Sequence, residues 1–175
     1  KIYVVDTLGA SLGQGLLVYH AAKMRFDGKS IEEVRDFAEG NKLRLCHWFT
    51  VDDLFFLKRG GRVSAATAVV GTMLGIKPIM HVDNEGKLVK VGTVRGRRAS
   101  IDALCEKAKA SAIDVKEKLV AFISHGDCEE DAKYLADKMK KEVGFKEVLI
   151  GYVGSVIGSH SGPGTLALFY LGTER

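Results

Sequence analysis

Apolar positions in the first forty residues recur with a helical spacing. From Ser11 on, Leu12, Leu16, Leu17, Tyr19, His20 and Met24 line one face, and Gly28 closes the run. Ser30 with Glu33 three residues later is a capping box, and it opens a second helix that stops at Gly40. Ahead of both, Ile2-Tyr3-Val4-Val5 reads as a short buried strand over residues 2–6. After Asn41 the texture turns to β. Leu43–Val51 is rich in Leu, Trp, Phe and Val, and a short helix through Leu54-Phe55-Phe56-Leu57 follows and ends at Gly60-Gly61.

Further on, Ser64 is placed to cap an Ala-rich helix, Ala65–Leu74, with Gly75 past its end. Ile76–Val82 and Lys87–Val94 flank Asp83-Asn84-Glu85-Gly86, a hairpin signature. Helix Ala99–Ala110, strand Leu119–Ser124, helix Glu129–Val143 with Asp127 as its cap, strand Glu147–Val153 and strand Leu166–Leu171 complete the chain. Six strands after residue 42, two of them joined by a tight turn, predict an α/β sheet of mostly antiparallel strands with helices packed on it. The strand-helix-helix ahead of it is a piece of another α/β layer. A strand that opens at residue 2, with no Met before it, is expected to need sheet neighbours from additional chain.

Composition narrows the classes. At 175 residues a sizeable core is affordable, and 46% hydrophobic with 27% charged residues is the balance of a globular chain. A net charge of +4 is too mild to mark a nucleic-acid binder. The three cysteines, Cys46, Cys105 and Cys128, have no paired spacing and an odd number, which excludes a fully paired disulfide set; Cys46, in an apolar run, and Cys105, in a helical pattern, are expected as small core residues in a reducing cytoplasm. No apolar run approaches the length of a membrane helix, and no signal-peptide pattern is present.

Four segments bear candidate chemistry. Gly154-Ser-Val-Ile-Gly158-Ser159-His160-Ser161-Gly162-Pro-Gly164-Thr165 reads as a loop whose amides and hydroxyls can surround an anion, with His160 as a titratable donor. Equally it is a turn between strands whose His caps a carbonyl. Arg62, after Gly60-Gly61 and before the Ala-rich helix, is either an anion ligand or a solvated cation. Arg95, Arg97 and Arg98 crowd the start of a helix, where the dipole disfavours cations, which points to an anionic partner or to a solvated basic rim. The Gly13-x-Gly15 pair lacks the third glycine of a dinucleotide fingerprint, because Val18 stands there; Ser11 as a cap and close packing at the glycines explain it better. The histidines form no metal-ligand set, and His125 with Asp127 and Cys128 is read as a helix cap.

Taken in order, these segments resemble the DegV family. The resemblance rests on Asp6-x-x-x-Ala-Ser11-x-Gly-x-Gly15, Phe55-x-Leu57-Lys-x-Gly60-Gly-Arg62-Val-Ser64, Leu74-Gly-Ile76-Lys-Pro78-Ile, Val94-Arg95-Gly-Arg97 and Gly158-x-His160-x-Gly162-Pro-Gly, in sequence and spacing across nearly the whole chain. It implies a bacterial, cytoplasmic protein of two α/β domains that binds a long-chain fatty acid of the palmitate, stearate or oleate type in the cleft between them. It implies no catalysis of its own and no cofactor or metal. The expected partner is a separate ATP-dependent fatty acid kinase subunit that phosphorylates the bound carboxylate.

Carried onto this sequence, the resemblance makes His160 and Arg62, with Ser159 and Gly158, the carboxylate ligands. Arg95 and Arg97 become residues of the pocket mouth or kinase-docking face. Residues 1–43 would be the tail of the N-terminal domain and 44–175 the C-terminal domain. The rest of the N-terminal domain, with a Ser-Gly-Thr-Tyr-type segment that adds hydroxyl ligands, is not in this sequence. The alternative from the residues alone is a phosphotransferase or hydrolase using His160, with Arg62 and Arg95 on phosphate. Nucleic-acid binding through Arg95–Arg98 is a weaker third reading.

Overall fold

The computed structural model describes residues 1–64, 75–112, 120–173 and 175. Its helices and strands, in chain order, are α1 (Ser11–Phe26), α2 (Ile31–Asn41), β1 (Leu45–Thr50), α3 (Leu54–Arg59), β2 (Ile76–Val82), β3 (Leu88–Arg95), α4 (Arg97–Ser111), β4 (Val120–His125), α5 (Glu129–Lys138), β5 (Glu147–Tyr152), α6 (Ser155–Ser161) and β6 (Leu166–Leu171). The six strands form one sheet in the order β3-β2-β1-β6-β4-β5. Every neighbouring pair is antiparallel except β4 with β5, which run parallel and enclose α5 as their crossover. The α/β sheet of mostly antiparallel strands expected from the sequence is the sheet found. The helix expected over residues 65–74 lies outside the described residues.

The sheet is sandwiched, and each strand sends alternate residues to opposite layers. On one face Cys46, Ile79, Ile123, Leu168 and Tyr170 pack against Ile101, Leu104 and Cys105 of α4, Leu135 of α5 and Met139 just beyond it. On the other face Leu45, Phe49, Met80, Phe122 and Phe169 meet Leu16 and Leu17 of α1 and Leu54 and Leu57 of α3. Among the described residues, this second face is covered by α1 and α3, with Phe37 of α2 at its edge and α6 beside it.

Local signals hold where the chemistry is local. Ser30 Oγ accepts from the Glu33 amide while the Glu33 carboxylate accepts from the Ser30 amide, the reciprocal box expected of that pair. Those bonds hold the Glu33 carboxyl well below its usual range, at about 2. Asp53 caps α3 through the Phe55 amide.

Four expectations are corrected. Residues 2–6 are not a strand: Ile2 and Val4 are about 90% exposed, and no described strand pairs with them. A strand without a ladder partner leaves its amides to water, so the pattern alone cannot hold it. The Gly-rich stretch after Gly154 is not an open loop but contains α6, with Gly158 inside the helix and Gly162, at φ +78°, stopping it. Asp127 does not cap α5; Cys128 takes the cap position, and its amide donates to His125 Nδ1 at 3.3 Å. Ser11 is the first residue of α1 and not its cap, with φ +54° and its hydroxyl turned to Ser124.

Candidate functional site: an apolar cavity under α1 and α6

Between the sheet and the helices α1, α3 and α6 lies a cavity of about 300 Å³. Its floor is one line of side chains running into β6, Thr165 just before the strand and Ala167 and Phe169 within it, flanked by His47 and Phe49 of β1 and Ser124 of β4. Same-face neighbours on a strand lie ~6.7 Å apart, so this line alone runs ~13 Å. Leu57, Val153, Val156 and Ile157 close the sides, and Ala10 and Ser11 stand over the floor. The walls are hydrocarbon for most of their length, a surface suited to an alkyl chain.

Polar groups gather at the end where β6 begins. Ser161, Thr165 and His160 line it, and Arg62 lines both the cavity and the groove outside, which places Arg62 at the mouth. The Ser161 and Thr165 hydroxyls are committed to the carbonyls of Ile157 and Gly162. Arg62 donates to the Gly60 carbonyl. Along the wall Ser11 Oγ and Ser124 Oγ lie 3.1 Å apart, a hydroxyl pair that brings the start of α1 onto β4.

Of the residues singled out from sequence, His160 and Arg62 meet at this cavity. Ser159 and Gly158 do not line it. Ser159 is exposed and its hydroxyl donates to the Val156 carbonyl within α6, while Gly158 sits inside that helix. Arg95 ends β3, exposed and away from the cavity lining. Arg97 is half-buried: its Nε donates to Asp131 at 2.7 Å, and a second nitrogen lies 3.5 Å from Asp52. Two acids of this chain thus answer Arg97, which is neither a solvated rim residue nor open to an external anion. Arg98 sits over Tyr134, its guanidinium carbon 3.5 Å from the ring centre.

The deep end holds a residue that the sequence motifs did not flag. His47 is 3% exposed, shares a hydrogen bond of 2.9 Å with the Leu45 carbonyl through Nδ1, and meets Phe169 edge-on. A carbonyl can only accept, so Nδ1 carries the proton and Nε2 is left bare. Burial first, then the nearby Arg175 cation, push its pKa down to about 4. Its Nε2 faces the backbone of Gly13, where a Cβ would come within 2.3 Å. This explains the second glycine-rich signal of the chain as close packing of α1 onto β1. The cue was the alternation of β1, which puts His47 on the same face as Leu45 and Phe49.

Behind this end, the Arg175 guanidinium donates to five backbone carbonyls, those of Thr7, Leu8, Lys42, Leu45 and Asp83. It ties the turn before α1 to β1 and to the β2–β3 hairpin, and so fixes where Ala10 and Ser11 enter the cavity.

The fold is an α/β domain with an apolar chamber on one sheet face, lined at one end by His160 and Arg62. The chain belongs to the DegV family: the family model described as "Uncharacterised protein, DegV family" matches residues 1–173. A DegV domain-containing protein of Clostridium perfringens is 48% identical over 174 residues, covering 99% of this chain and 60% of that protein. Among solved structures, a DegV family protein from Thermus thermophilus described for fatty acid binding superposes with a TM-score of 0.86 at 30% identity, over 98% of this chain and 61% of that one. The Streptococcus pneumoniae fatty acid kinase (Fak) B3 protein loaded with linoleic acid gives a TM-score of 0.88 at 21% identity, over 98% and 60%. At that identity the likeness is one of fold. The chain spans about 60% of the length of these relatives.

Proposed function

We propose that this chain supplies one wall of a long-chain fatty acid site, with the acyl tail along β6 and the carboxylate at His160 and Arg62. The observation that carries the reading is the apolar cavity of about 300 Å³ that ends at those two side chains. The fatty acid binding described for the Thermus relative supports it. Burying ~14 methylenes at ~0.8 kcal/mol each offers on the order of 10 kcal/mol before ordering costs. A carboxylate drawn in without partners would remove several kcal/mol of that, and a charge-assisted donor limits the loss.

In the same reading residues 1–43 belong to an N-terminal α/β domain that completes the cleft, and 44–175 form the C-terminal domain. The bound acid is presented to a separate ATP-dependent kinase subunit, with Arg95 on the docking face. The fold likeness to the Fak B3 protein is consistent with that partnership. Phosphoryl transfer by this chain itself is less well matched to the site, since hydrocarbon walls suit an alkyl chain better than a phosphate.

Native mass spectrometry of the purified protein tests this directly. A co-purifying acid of palmitate, stearate or oleate type, exchangeable with added oleate, is expected. Lipid-free protein that also fails to take up oleate or palmitate would end the proposal.

A further inference from the structure

His160 has to be aimed before it can hold anything, and the residue that aims it is across the cavity mouth on another element. Gly60 follows α3 with an ordinary right-handed backbone, φ −73° and ψ −3°, which any residue adopts. Its lack of a side chain is therefore not a conformational requirement. What requires it is the imidazole. A Cβ on Gly60 would lie 2.2 Å from His160 Nδ1, 3.0 Å from Cγ and 3.3 Å from Cβ of that side chain. The ring rests on bare backbone.

Two further contacts make this a lock rather than an accident of packing. One helical turn before Gly60, the Phe56 ring fills the space over Gly162, where a Cβ would come within 2.6 Å of it. So α3 offers an aromatic and a gap, α6 and its end offer a gap and an aromatic, and each fits the other. Gly60 also accepts the Arg62 guanidinium on its carbonyl oxygen. One residue thus seats the imidazole with its Cα and tethers the guanidinium with its carbonyl.

We propose that Gly60 is a positioning residue of the carboxylate site: it turns Nδ1 of His160 inward against backbone, leaves Nε2 as the nitrogen offered to the ligand, and sets Arg62 beside it. This rests on the reading of His160 and Arg62 as the carboxylate ligands. A methyl at position 60 forces the ring to swing about its own side-chain bonds, because its near atoms and not only its tip are in the way.

The test compares oleate with oleyl alcohol, which has the same tail and no carboxylate, by displacement of a fluorescent acyl probe. In the unaltered protein oleate should bind tighter. Gly60→Ala should weaken oleate by about ten-fold or more, the size of a lost charge-assisted hydrogen bond, and move the alcohol by less than about two-fold. In a His160→Ala background the same change should have no further effect, since the methyl then occupies vacated space. Gly60→Ala that keeps the acid preference, or that weakens both ligands equally, overturns the inference. Equal losses in the two backgrounds overturn it as well. An unaltered protein that binds both ligands alike instead removes the carboxylate reading beneath it, and the inference with it. Thermal unfolding of each variant identifies global damage: a Gly60→Ala protein that unfolds but is rescued by His160→Ala supports the clash with the imidazole, and one that unfolds equally in both backgrounds overturns it.

Discussion

Ala167 is where the cavity can be filled with least disturbance. It is the middle residue of the β6 line, with Phe49 opposite on β1 and Ser124 opposite on β4. Its small side chain is 7% exposed and faces the void. Ala167→Leu adds three carbons there. In a closed core such a change overpacks and costs about 1–3 kcal/mol. Here the added carbons enter space that a ligand would otherwise use. The free protein should therefore unfold in urea within about 0.5 kcal/mol of its parent, since no packed neighbour has to move.

Binding should respond in the opposite way. If three carbons of wall displace about three methylenes of tail, the loss is about 2.4 kcal/mol, or roughly sixty-fold in Kd. Isothermal titration with oleate and with palmitate measures it, and the same titration on Ala167→Gly controls for backbone effects. Unchanged oleate affinity in a variant that folds normally would show that the tail does not run along β6. A variant that loses several kcal/mol of stability would show that the void is not there to be filled.

Three other outcomes follow from the geometry. Arg175→Ala removes a guanidinium from five carbonyls and should cost about 2–4 kcal/mol in urea unfolding, less than a simple sum because the carbonyls relax toward water. Arg97→Ala should destabilise by about 1 kcal/mol by stranding Asp131, since Asp52 keeps its closer partner Lys77 at 2.7 Å, whereas Arg95→Ala should leave unfolding unchanged and alter only an association with a partner. His47 titrates near 6.5 when unfolded and near 4 when folded, so the unfolded chain binds the extra proton between those values. Its contribution is complete above pH 6.5 and is lost as pH falls toward 4, up to about 3 kcal/mol; urea melts across that window should show a shallower pH slope for His47→Gln than for the parent.

The parts legible in the sequence are those fixed by neighbours along the chain. Leu166–Leu171 is an unbroken apolar run bounded by a Gly-Pro-Gly turn, and it is the observed β6 residue for residue. The hairpin around Asp83–Gly86 and the Ser30–Glu33 box were readable for the same reason. Arg97 was not, because its answering acid Asp131 stands 34 residues away and Asp52 is on another loop. Gly154, Gly158 and Gly162 read as loop residues by composition, yet their four-residue spacing is also that of successive helical turns. The Gly158 amide bonds the Gly154 carbonyl and the Gly162 amide bonds that of Gly158, both at 2.8 Å. His160 and Arg62 were recognisable as chemistry. That they share a mouth depends on α3 docking against α6, which no local pattern states.

The unequal covering of the two sheet faces gives these pieces a common logic. One face is closed by long helices whose apolar residues, Ile101, Leu104 and Leu135 among them, leave no room over β4 and β6. On the other face α1 lays its bulky residues, Leu16 and Leu17, over the middle of the sheet, while its first turn and the turn before it carry Gly9, Ala10, Ser11 and Gly13. Small residues let that end come down onto His47 and Ser124 without filling the space beside them. A void in a protein interior forfeits packing energy, so it persists only where the surrounding elements cannot collapse into it. Here the floor is a hydrogen-bonded sheet, Arg175 pins one side, and the interlock of Phe56 and Gly162 with Gly60 and His160 pins the other. The cavity is held open by parts that are themselves fixed, which is the condition for binding a flexible chain without first having to build the site.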